Sequence, residues 1–293
     1  MDGQFLHIAG FYYSIPSSVK LTSNYLPFKH EPEEPYQMTS TVTVGDFTVS
    51  HKELCHKGLL IDTEKELCIY KTDEKEGGYY VTVKDKPTGN QYELYASSDW
   101  SHVQLSSNCI SDCPPSVIDI LMMLIFIYSA APYNTILLHA SCVKCGDEAV
   151  AFIGHSGAGK STHSQLWLKY IPGTYLLNDD QPAVRAYGDG TVMIYGTPWS
   201  GKTPCYKYDG GILKGIIRMK QASNNKITAL DPISLFKELL SSCSMMKSDP
   251  TTFKAVASAL AAVASHMPGF VLENKPEKEA AMMSYSHTIK KEL

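Results

Sequence analysis

A glycine-rich segment near the middle of the chain has the residue types and spacing of a phosphate-binding loop. Residues 154–161 read Gly-His-Ser-Gly-Ala-Gly-Lys-Ser and fit the pattern G-x-x-x-x-G-K-[ST]. Peptide N–H groups in such a turn form an anion-binding nest, and the helix that follows adds partial positive charge. A chain of this length meets the pattern by chance in roughly 1% of cases. The segment therefore predicts phosphate binding, the alternative being a glycine-rich turn that holds no ligand.

The flanking sequence has the context that such a loop requires. A strand pattern at 149–153 enters the segment and a helix pattern at 161–171 leaves it. Lys160 is expected to reach the outer phosphates, and the Ser161 hydroxyl to join a Mg²⁺ shell. The predicted ATP-binding residues are Gly154, Ser156, Gly157, Ala158, Gly159, Lys160, Ser161 and Thr162.

Two adjacent carboxylates, Asp179 and Asp180, follow an apolar strand pattern nineteen residues after Lys160. In phosphoryl transfer one acid can hold the metal while another takes the proton of the attacking hydroxyl. Adjacent strand residues point to opposite faces, so the two roles should differ, and which acid is the base stays open. The alternative is a solvated turn. The predicted metal ligands are Ser161, Asp179 and Asp180.

Three further side chains are candidates for the same site. His139 lies in a predicted strand at 135–143, and a hairpin with the strand at 149–153 would bring it back to the phosphates. A core histidine is the alternative. Lys202 is the first candidate for a cation on the transferred phosphoryl group and Arg218 the second, unless both are surface residues.

Composition excludes several classes of protein. The chain has 293 residues, a net charge of -4 and only two arginines, Arg185 and Arg218. The charge disfavours a nucleic-acid partner, and the arginine count disfavours mechanisms that need several guanidinium clamps. The first residues lack the basic segment and apolar stretch of a signal peptide. The apolar run at 120–128 is too short to span a bilayer. We therefore expect a cytoplasmic protein without a membrane partner.

The eight cysteines suggest neither a disulfide scaffold nor a strong metal site. Two pairs could make a four-thiolate zinc site, although ordinary buried thiols are the favoured interpretation. A further cluster of histidine and cysteine is an even weaker candidate for a metal site. These candidates are Cys142 with Cys145, Cys109 with Cys113, and the cluster His51, Cys55 and His56.

The pattern of residues along the chain predicts two domains. Residues 1–112 alternate with the period of strands and predict an antiparallel β-rich domain. Residues 113–293 predict an α/β nucleotide-binding domain. Its elements are helices at 116–131, 161–171, 233–246, 252–266 and 277–291, and strands at 135–143, 149–153, 175–180, 184–187, 192–195, 215–219 and 269–272.

The sequence Leu138-His139-Ala140-Ser141, then the loop, then Asn178-Asp179-Asp180, resembles the HPr kinase/phosphorylase and ATP-dependent phosphoenolpyruvate carboxykinase superfamily. Residues 146–154 look like the carboxykinase version. Residues 196–202, 213–217 and 267–272 are similar to the small HPr-kinase-like proteins. The resemblance covers roughly residues 114–290 and leaves out the first hundred.

This resemblance implies a P-loop kinase core with a mixed sheet wrapped by helices. It implies that the acid pair works with Mg²⁺ and a general base, and that His139 is a metal or phosphate ligand. Where HPr kinases have Ile-Arg-Gly-x-Gly, this chain has Lys214, which keeps the charge without the planar fork. That difference weighs against the protein HPr as acceptor.

The expected function is an ATP- and Mg²⁺-dependent kinase acting on a hydroxyl of a small molecule, peptide or protein. The alternatives are a phosphoenolpyruvate carboxykinase-like activity and a nucleotide-binding module without catalysis. The acceptor, the oligomeric state and the donor (ATP, ADP or pyrophosphate) stay open.

Overall fold

A computed structural model describes residues 3–47, 59–62, 66–72, 77–110, 113–201, 203–243, 245 and 249–290. The chain forms two compact units. One comprises Met1–Ala130 with Met245–Phe253, and the other Ala131–Ser244 with Lys254–Leu293. The predicted domains divide at residue 113, whereas the compact units first divide after Ala130, so the helix at Pro115–Ala130 groups with the first unit.

The first unit is built on an eight-stranded sheet with the order β1-β2-β3-β8-β7-β6-β5-β4. Its strands are β1 Gly3–Ile8, β2 Phe11–Pro16, β3 Met38–Val44, β4 Leu59–Asp62, β5 Leu67–Thr72, β6 Gly78–Lys84, β7 Gln91–Ser97 and β8 His102–Leu105. Helix α1 spans Pro115–Ala130, and short 3₁₀ helices span Ser23–Phe28 and Ser107–Cys109.

The prediction of an antiparallel layer was wrong for part of this sheet. Strand β3 runs parallel to both of its neighbours, β2 and β8. A parallel neighbour needs a long crossover rather than a hairpin. The connection from β2 to β3 contains the 3₁₀ helix Ser23–Phe28 and is long enough to return the chain to the same end of the sheet. The alternation of apolar and polar residues within a strand does not show whether its neighbours run parallel or antiparallel to it.

The apolar helix α1 belongs to the core of the first unit. Trp100 is fully buried, and its ring lies 4.8 Å from that of Tyr128 on α1 and 5.4 Å from that of Tyr79. Among the described residues, one helical stretch, Pro115–Tyr133, is long and apolar enough to cross a membrane. This stretch is longer than the apolar run at 120–128 seen in the sequence. Of the 18-residue apolar segment within it, 67% is buried inside the protein.

The second unit contains a nine-stranded mixed sheet. The path is β12-β10-β11-β15-β14-β13-β9, and β17 pairs with both β15 and β16. The strands are β9 Thr135–Leu137, β10 Ala140–Cys145, β11 Glu148–Ile153, β12 Thr174–Asp180, β13 Ala183–Ala186, β14 Val192–Tyr195, β15 Gly210–Gln221, β16 Lys226–Leu230 and β17 Gly269–Asn274. The helices are α2 Lys160–Tyr170, α3 Pro232–Ser242, α4 Pro250–His266 and α5 Lys278–Thr288, with a 3₁₀ turn at Ala131–Tyr133. The first four residues of α4 belong to the first unit.

The single strand predicted at 135–143 is two strands in different parts of this sheet. β9 pairs with β13 at one edge, whereas β10 lies between β11 and β12. The chain changes partners at two residues between them: Leu138 N–H donates to Pro182 O, and His139 N–H donates to Ser242 O. These bonds replace ladder pairing, so the apolar run continues in sequence while the strand does not. His139 therefore lies just before β10.

Helix α2 is held by buried polar contacts with α5. Ser284 Oγ donates to Ala281 O and accepts from Trp167 Nε1 at 2.8 Å. His163 Nε2 lies 2.9 Å from the same oxygen, and because the hydroxyl proton is already used, this nitrogen is the donor. Burial lowers the pKa of His163 to about 4, so the ring is neutral at pH 7.

A buried carboxylate begins helix α4 within the first unit. Asp249 is 0% exposed and accepts from Lys71 Nζ and Tyr79 Oη, each at 2.7 Å, and from the Thr252 backbone N–H at 3.0 Å. Burial alone would raise the pKa of Asp249. The hydrogen bonds outweigh it and hold the pKa at about 2.

We expect Asp249→Asn to lower the free energy of unfolding by about 2 kcal/mol at pH 7, because asparagine keeps the helix cap but removes the stabilised charge. This contribution is present above about pH 4 and is lost as the pH falls toward 2. Denaturant titrations of both proteins at pH 7 and at pH 2.5 measure it. The control is Asp231→Asn at the exposed cap of α3, where the stability should hardly change. Equal losses for the two variants would contradict the prediction.

Candidate functional site

The site forms at one end of the second unit's sheet, where β10 begins and its neighbours β11 and β12 end. In β10, Ala140 lies opposite Ile153 of β11 and opposite Asp180 of β12. The hairpin between β10 and β11 confirms the pairing predicted from sequence. His139 precedes Ala140, and the glycine-rich loop follows Ile153. The antiparallel ladders therefore bring the histidine, the loop and the acid pair together.

The loop between β11 and α2 needs glycine for geometric reasons. Gly154 has φ 153°, and a Cβ there would lie 2.9 Å from the Cβ of Ala158. Gly159 caps α2 with φ 98°, in the left-handed region that a residue with a side chain rarely adopts. The helix begins at Lys160, so its N-terminus, with its partial positive charge, directly follows the glycine-rich loop.

The Lys160 ammonium lies across the loop. Its Nζ donates to Gly154 O at 2.9 Å and lies 3.3 Å from His139 Nε2. Burial lowers the pKa of Lys160, and the charge of Arg218 lowers it further, while Asp180 and Asp179 oppose that shift. Two carboxylates therefore help to keep the amine protonated.

Asp179 is tied to the first turn of α2. Ser161 Oγ donates to Asp179 Oδ1 at 3.0 Å, and Asp179 is 7% exposed. A hydroxyl and a carboxylate oxygen thus lie side by side on separate elements. Both are hard oxygen ligands of the kind that Mg²⁺ accepts.

Asp180 faces a different environment. Its side chain is 38% exposed, and Oδ1 lies 3.2 Å from His139 Nε2. Its backbone has φ 144°, a conformation that residues with a Cβ rarely adopt. Strain of this kind persists only where surrounding contacts hold it, and it is concentrated at functional sites.

The contacts that hold the acid pair come from the segment at 197–201. Asn178 is fully buried and donates through Nδ2 to Trp199 O at 3.1 Å. Gly201 N–H donates to Asp179 O at 2.7 Å. A Cβ at Gly201 would lie 3.2 Å from the Cβ of Asp180, so only glycine allows this approach without displacement. These are positioning contacts that the sequence did not predict.

A cavity of about 610 Å³ opens over these groups. It contains most of the predicted site residues together with three that were not predicted, Gly201, Thr203 and Gln221. Gln221 Nε2 donates to Gly157 O at 2.9 Å and so supports the loop from the end of β15. The lining residues are His139, Ser156, Gly157, Gly159, Lys160, Ser161, Thr162, Asp179, Asp180, Gly201, Thr203 and Gln221.

The other predicted residues are Gly154, Ala158, Lys202 and Arg218. Gly154 and Ala158 belong to the loop but do not line the cavity. Lys202 lies outside the described residues. Arg218 lies in β15 opposite Ile153, the residue before the loop. Its Nε lies 3.3 Å from Glu238 Oε2, and its side chain does not line the cavity, although its charge acts on Lys160.

The described cysteines do not form a metal centre. Within the described ranges, no group of three or more His, Cys, Asp or Glu side chains could hold a metal ion. Cys142 and Cys145 both lie on β10, before the hairpin turn, so the interpretation that this pair straddles the turn is wrong. A hydrogen bond with Cys113 lowers the pKa of Cys109. The cluster His51, Cys55 and His56 lies outside the described residues.

The comparisons with known proteins add little to this geometry. No model of a known protein family matches the chain, and no curated protein matches it. The solved structure of a Hpr(Ser) kinase/phosphatase from Coxiella burnetii is similar over 52% of this chain and 87% of that one, with 11% identity and a TM-score of 0.30. This is a structural likeness that says nothing about individual residues.

The electrostatic support of Lys160 is testable without a ligand. We expect Asp180→Asn to lower the pKa of Lys160 further, because the carboxylate favours the charged amine and the amide does not. Titration of the Lys160 side chain by nuclear magnetic resonance measures the shift. Asp209→Asn is the control, since Asp209 pairs with Lys144 instead. A Lys160 pKa that is unchanged in Asp180→Asn would contradict the geometry.

Proposed function

We propose that this chain is a kinase that transfers the terminal phosphoryl group of ATP, with Mg²⁺, to the hydroxyl of an acceptor. The observation that carries the proposal is the convergence of a phosphate-binding loop and two carboxylates on one cavity. The loop alone suits binding of a phosphate. Two carboxylates in different environments beside it suit a transfer reaction, in which metal binding and proton removal are separate tasks.

The chemistry of the cavity favours a divalent cation. Among the described residues that line it, Lys160 is the only lysine or arginine. One ammonium does not offset the charge of a triphosphate. Ser161 and Asp179 would hold Mg²⁺, since both offer oxygen ligands and already lie within hydrogen-bond distance. When bound, the ion would offset negative charge on the phosphates.

Asp180 is the residue we assign as general base. Its carboxylate is more exposed than that of Asp179 and so is open to an incoming hydroxyl. As the hydroxyl oxygen bonds to the terminal phosphorus, its proton passes to Asp180. The bond from that phosphorus to the bridging oxygen breaks, and ADP leaves with the electron pair. His139, 3.2 Å away, is placed to keep Asp180 oriented.

The arginines do not favour the carboxykinase alternative. Recognition of a dicarboxylate by planar clamps needs guanidinium groups at the site. Arg185 lies over the ring of Tyr187 at 4.8 Å, and Arg218 pairs with Glu238. Neither lines the cavity.

Lys160→Ala is expected to reduce turnover of Mg²⁺–ATP at least about 100-fold, because the cation that stabilises the transferred group is removed. Release of ADP, measured with labelled ATP and a panel of amino acids, peptides and cell extract, gives the rate. Lys169→Ala, at an exposed position on the same helix, is the matched control and should keep the full rate. An unchanged rate in Lys160→Ala would show that the site assignment is wrong. Release of ADP that depends on oxaloacetate would support the carboxykinase instead.

Substitutions of the two aspartates are expected to have different kinetic effects. Asp180→Asn should lower kcat by about 100-fold or more at every Mg²⁺ concentration, because the proton acceptor is lost. Asp179→Asn should raise the Mg²⁺ concentration needed for half-maximal rate, because one metal ligand is weakened. Steady-state rates over a Mg²⁺ titration separate the two effects. Identical Mg²⁺ profiles for the two variants would refute this division of roles.

A further inference from the structure

Two neighbouring thiols in the first unit are not among the residues that line the proposed site. Cys109 ends the short 3₁₀ helix that follows β8, and Cys113 lies just before the two prolines at which helix α1 begins. A hydrogen bond joins the two thiols. In the part of the chain that the structure describes, no metal-binding group of three or more side chains includes them. A structural zinc site takes four ligands, so this pair needs another explanation.

The backbone on either side holds the two cysteines in place. Cys109 N–H donates to Ser106 O, at the end of β8, at 2.9 Å. The residue after Cys113 is also held, because Val117 N–H in the first turn of α1 donates to Pro114 O at 3.0 Å. Only three residues separate the two cysteines in sequence. The fold therefore keeps the two sulfurs beside each other.

The surroundings of the Cys109 sulfur favour a thiolate. The hydrogen bond from the Cys113 thiol lowers the pKa of Cys109, as do the side chain of Ser106 and the backbone N–H groups of Glu93 and Ser106. The Ser106 hydroxyl oxygen lies 3.5 Å from this sulfur. The same thiol–thiol bond raises the pKa of Cys113, so the pair keeps one proton more readily than two. A thiolate is the form of cysteine that reacts with oxidants.

The other described cysteines differ from this pair. Burial raises the pKa of the Cys142, Cys205 and Cys243 thiols. Cys145 is partly exposed, as Cys113 is, but its Sγ donates to a backbone carbonyl oxygen at 3.7 Å rather than to a thiol. Cys109 is 1% exposed, so an oxidant reaches the pair from the side of the partly exposed Cys113.

We propose that Cys109 and Cys113 are a redox-sensitive pair that a peroxide converts reversibly to a disulfide bond. One thiolate attacks a peroxide oxygen and becomes a sulfenic acid as the O–O bond breaks, and the hydroxide that leaves takes up the proton lost by that thiol. The second thiol then attacks the sulfenic sulfur, the S–S bond forms, and water leaves. With hydrogen peroxide, two thiols and one peroxide give one disulfide and two waters. The sulfurs lose two electrons, which the peroxide gains.

The bond would fasten the end of β8 to the start of α1 by closing a loop of five residues, from 109 to 113. In a reducing compartment such a bond lasts only while an oxidant is present, since other thiols reduce it by exchange. This inference does not depend on the proposed kinase function, because it uses no residue of the nucleotide site.

Mass spectrometry of the full chain tests the proposal. The folded protein is treated with hydrogen peroxide, its remaining thiols are alkylated, and it is digested with trypsin without reduction. The peptide that contains both cysteines and ends at Lys144 should be lighter by two hydrogen atoms, with no alkyl group on Cys109 or Cys113. Dithiothreitol added before alkylation should restore both thiols.

Serine variants assign the bond to this pair. Cys109→Ser and Cys113→Ser should each abolish the loss of two hydrogen atoms. Cys145→Ser is the matched control, since its partly exposed thiol has a carbonyl partner, and the bond should form as in the wild-type chain.

Three results would overturn the proposal: both thiols still open to alkylation after peroxide treatment of the wild-type chain, a bond from either cysteine to Cys142 in the same peptide, or oxidation that dithiothreitol does not reverse. A loss of two hydrogen atoms that persists in either serine variant of the pair would also overturn it. The wild-type measurement decides by itself if a variant does not fold.

Discussion

The site depends on the position of one strand, β10, between β11 and β12. Its backbone pairs on both sides, so its end cannot move without breaking two ladders. Cys142 and Val143 are fully buried, and a slip of one residue would turn each side chain to the opposite face. The register that opposes Ala140 to both Ile153 and Asp180 is therefore strongly determined. The distance between the loop and the acids follows from it.

A bulge in the β10–β12 ladder refines this placement. Cys142 pairs with Asn178 and Val143 with Leu176, so Leu177 is an extra residue on β12. Leu177 and Asn178 are both fully buried, within a run of four buried residues at 176–179. The extra residue resets the alternation just before the acid pair. Asn178 can then donate into the segment at 197–199 while Asp179 accepts from Ser161.

The sequence predicted the parts of the site that depend on local backbone chemistry. The loop, the lysine and the serine follow from residues close together in the chain, and the acid pair follows from a strand that ends in two carboxylates. The parallel position of β3, the break before β10 and the full length of β15 depend on pairing between distant segments. Gly201 and Gln221 were missed for the same reason, since each acts on residues far away in sequence.

The different surroundings of the two acids come from backbone conformation rather than from residue type. Asp179 continues β12 and stays buried against Ser161, whereas the chain at Asp180 adopts φ 144° and carries its carboxylate into the open part of the cavity. A residue with a Cβ holds that conformation only at a cost of order 1–3 kcal/mol, so other contacts must offset it. The bond from Gly201 N–H to Asp179 O and the isolated bridge between Asp180 and Ser200 supply them. The absence of a side chain at Gly201 lets that support approach closely enough. The two carboxylates thus lie in different surroundings, and the segment that supports them can approach closely because Gly201, twenty-one residues after Asp180, has no side chain.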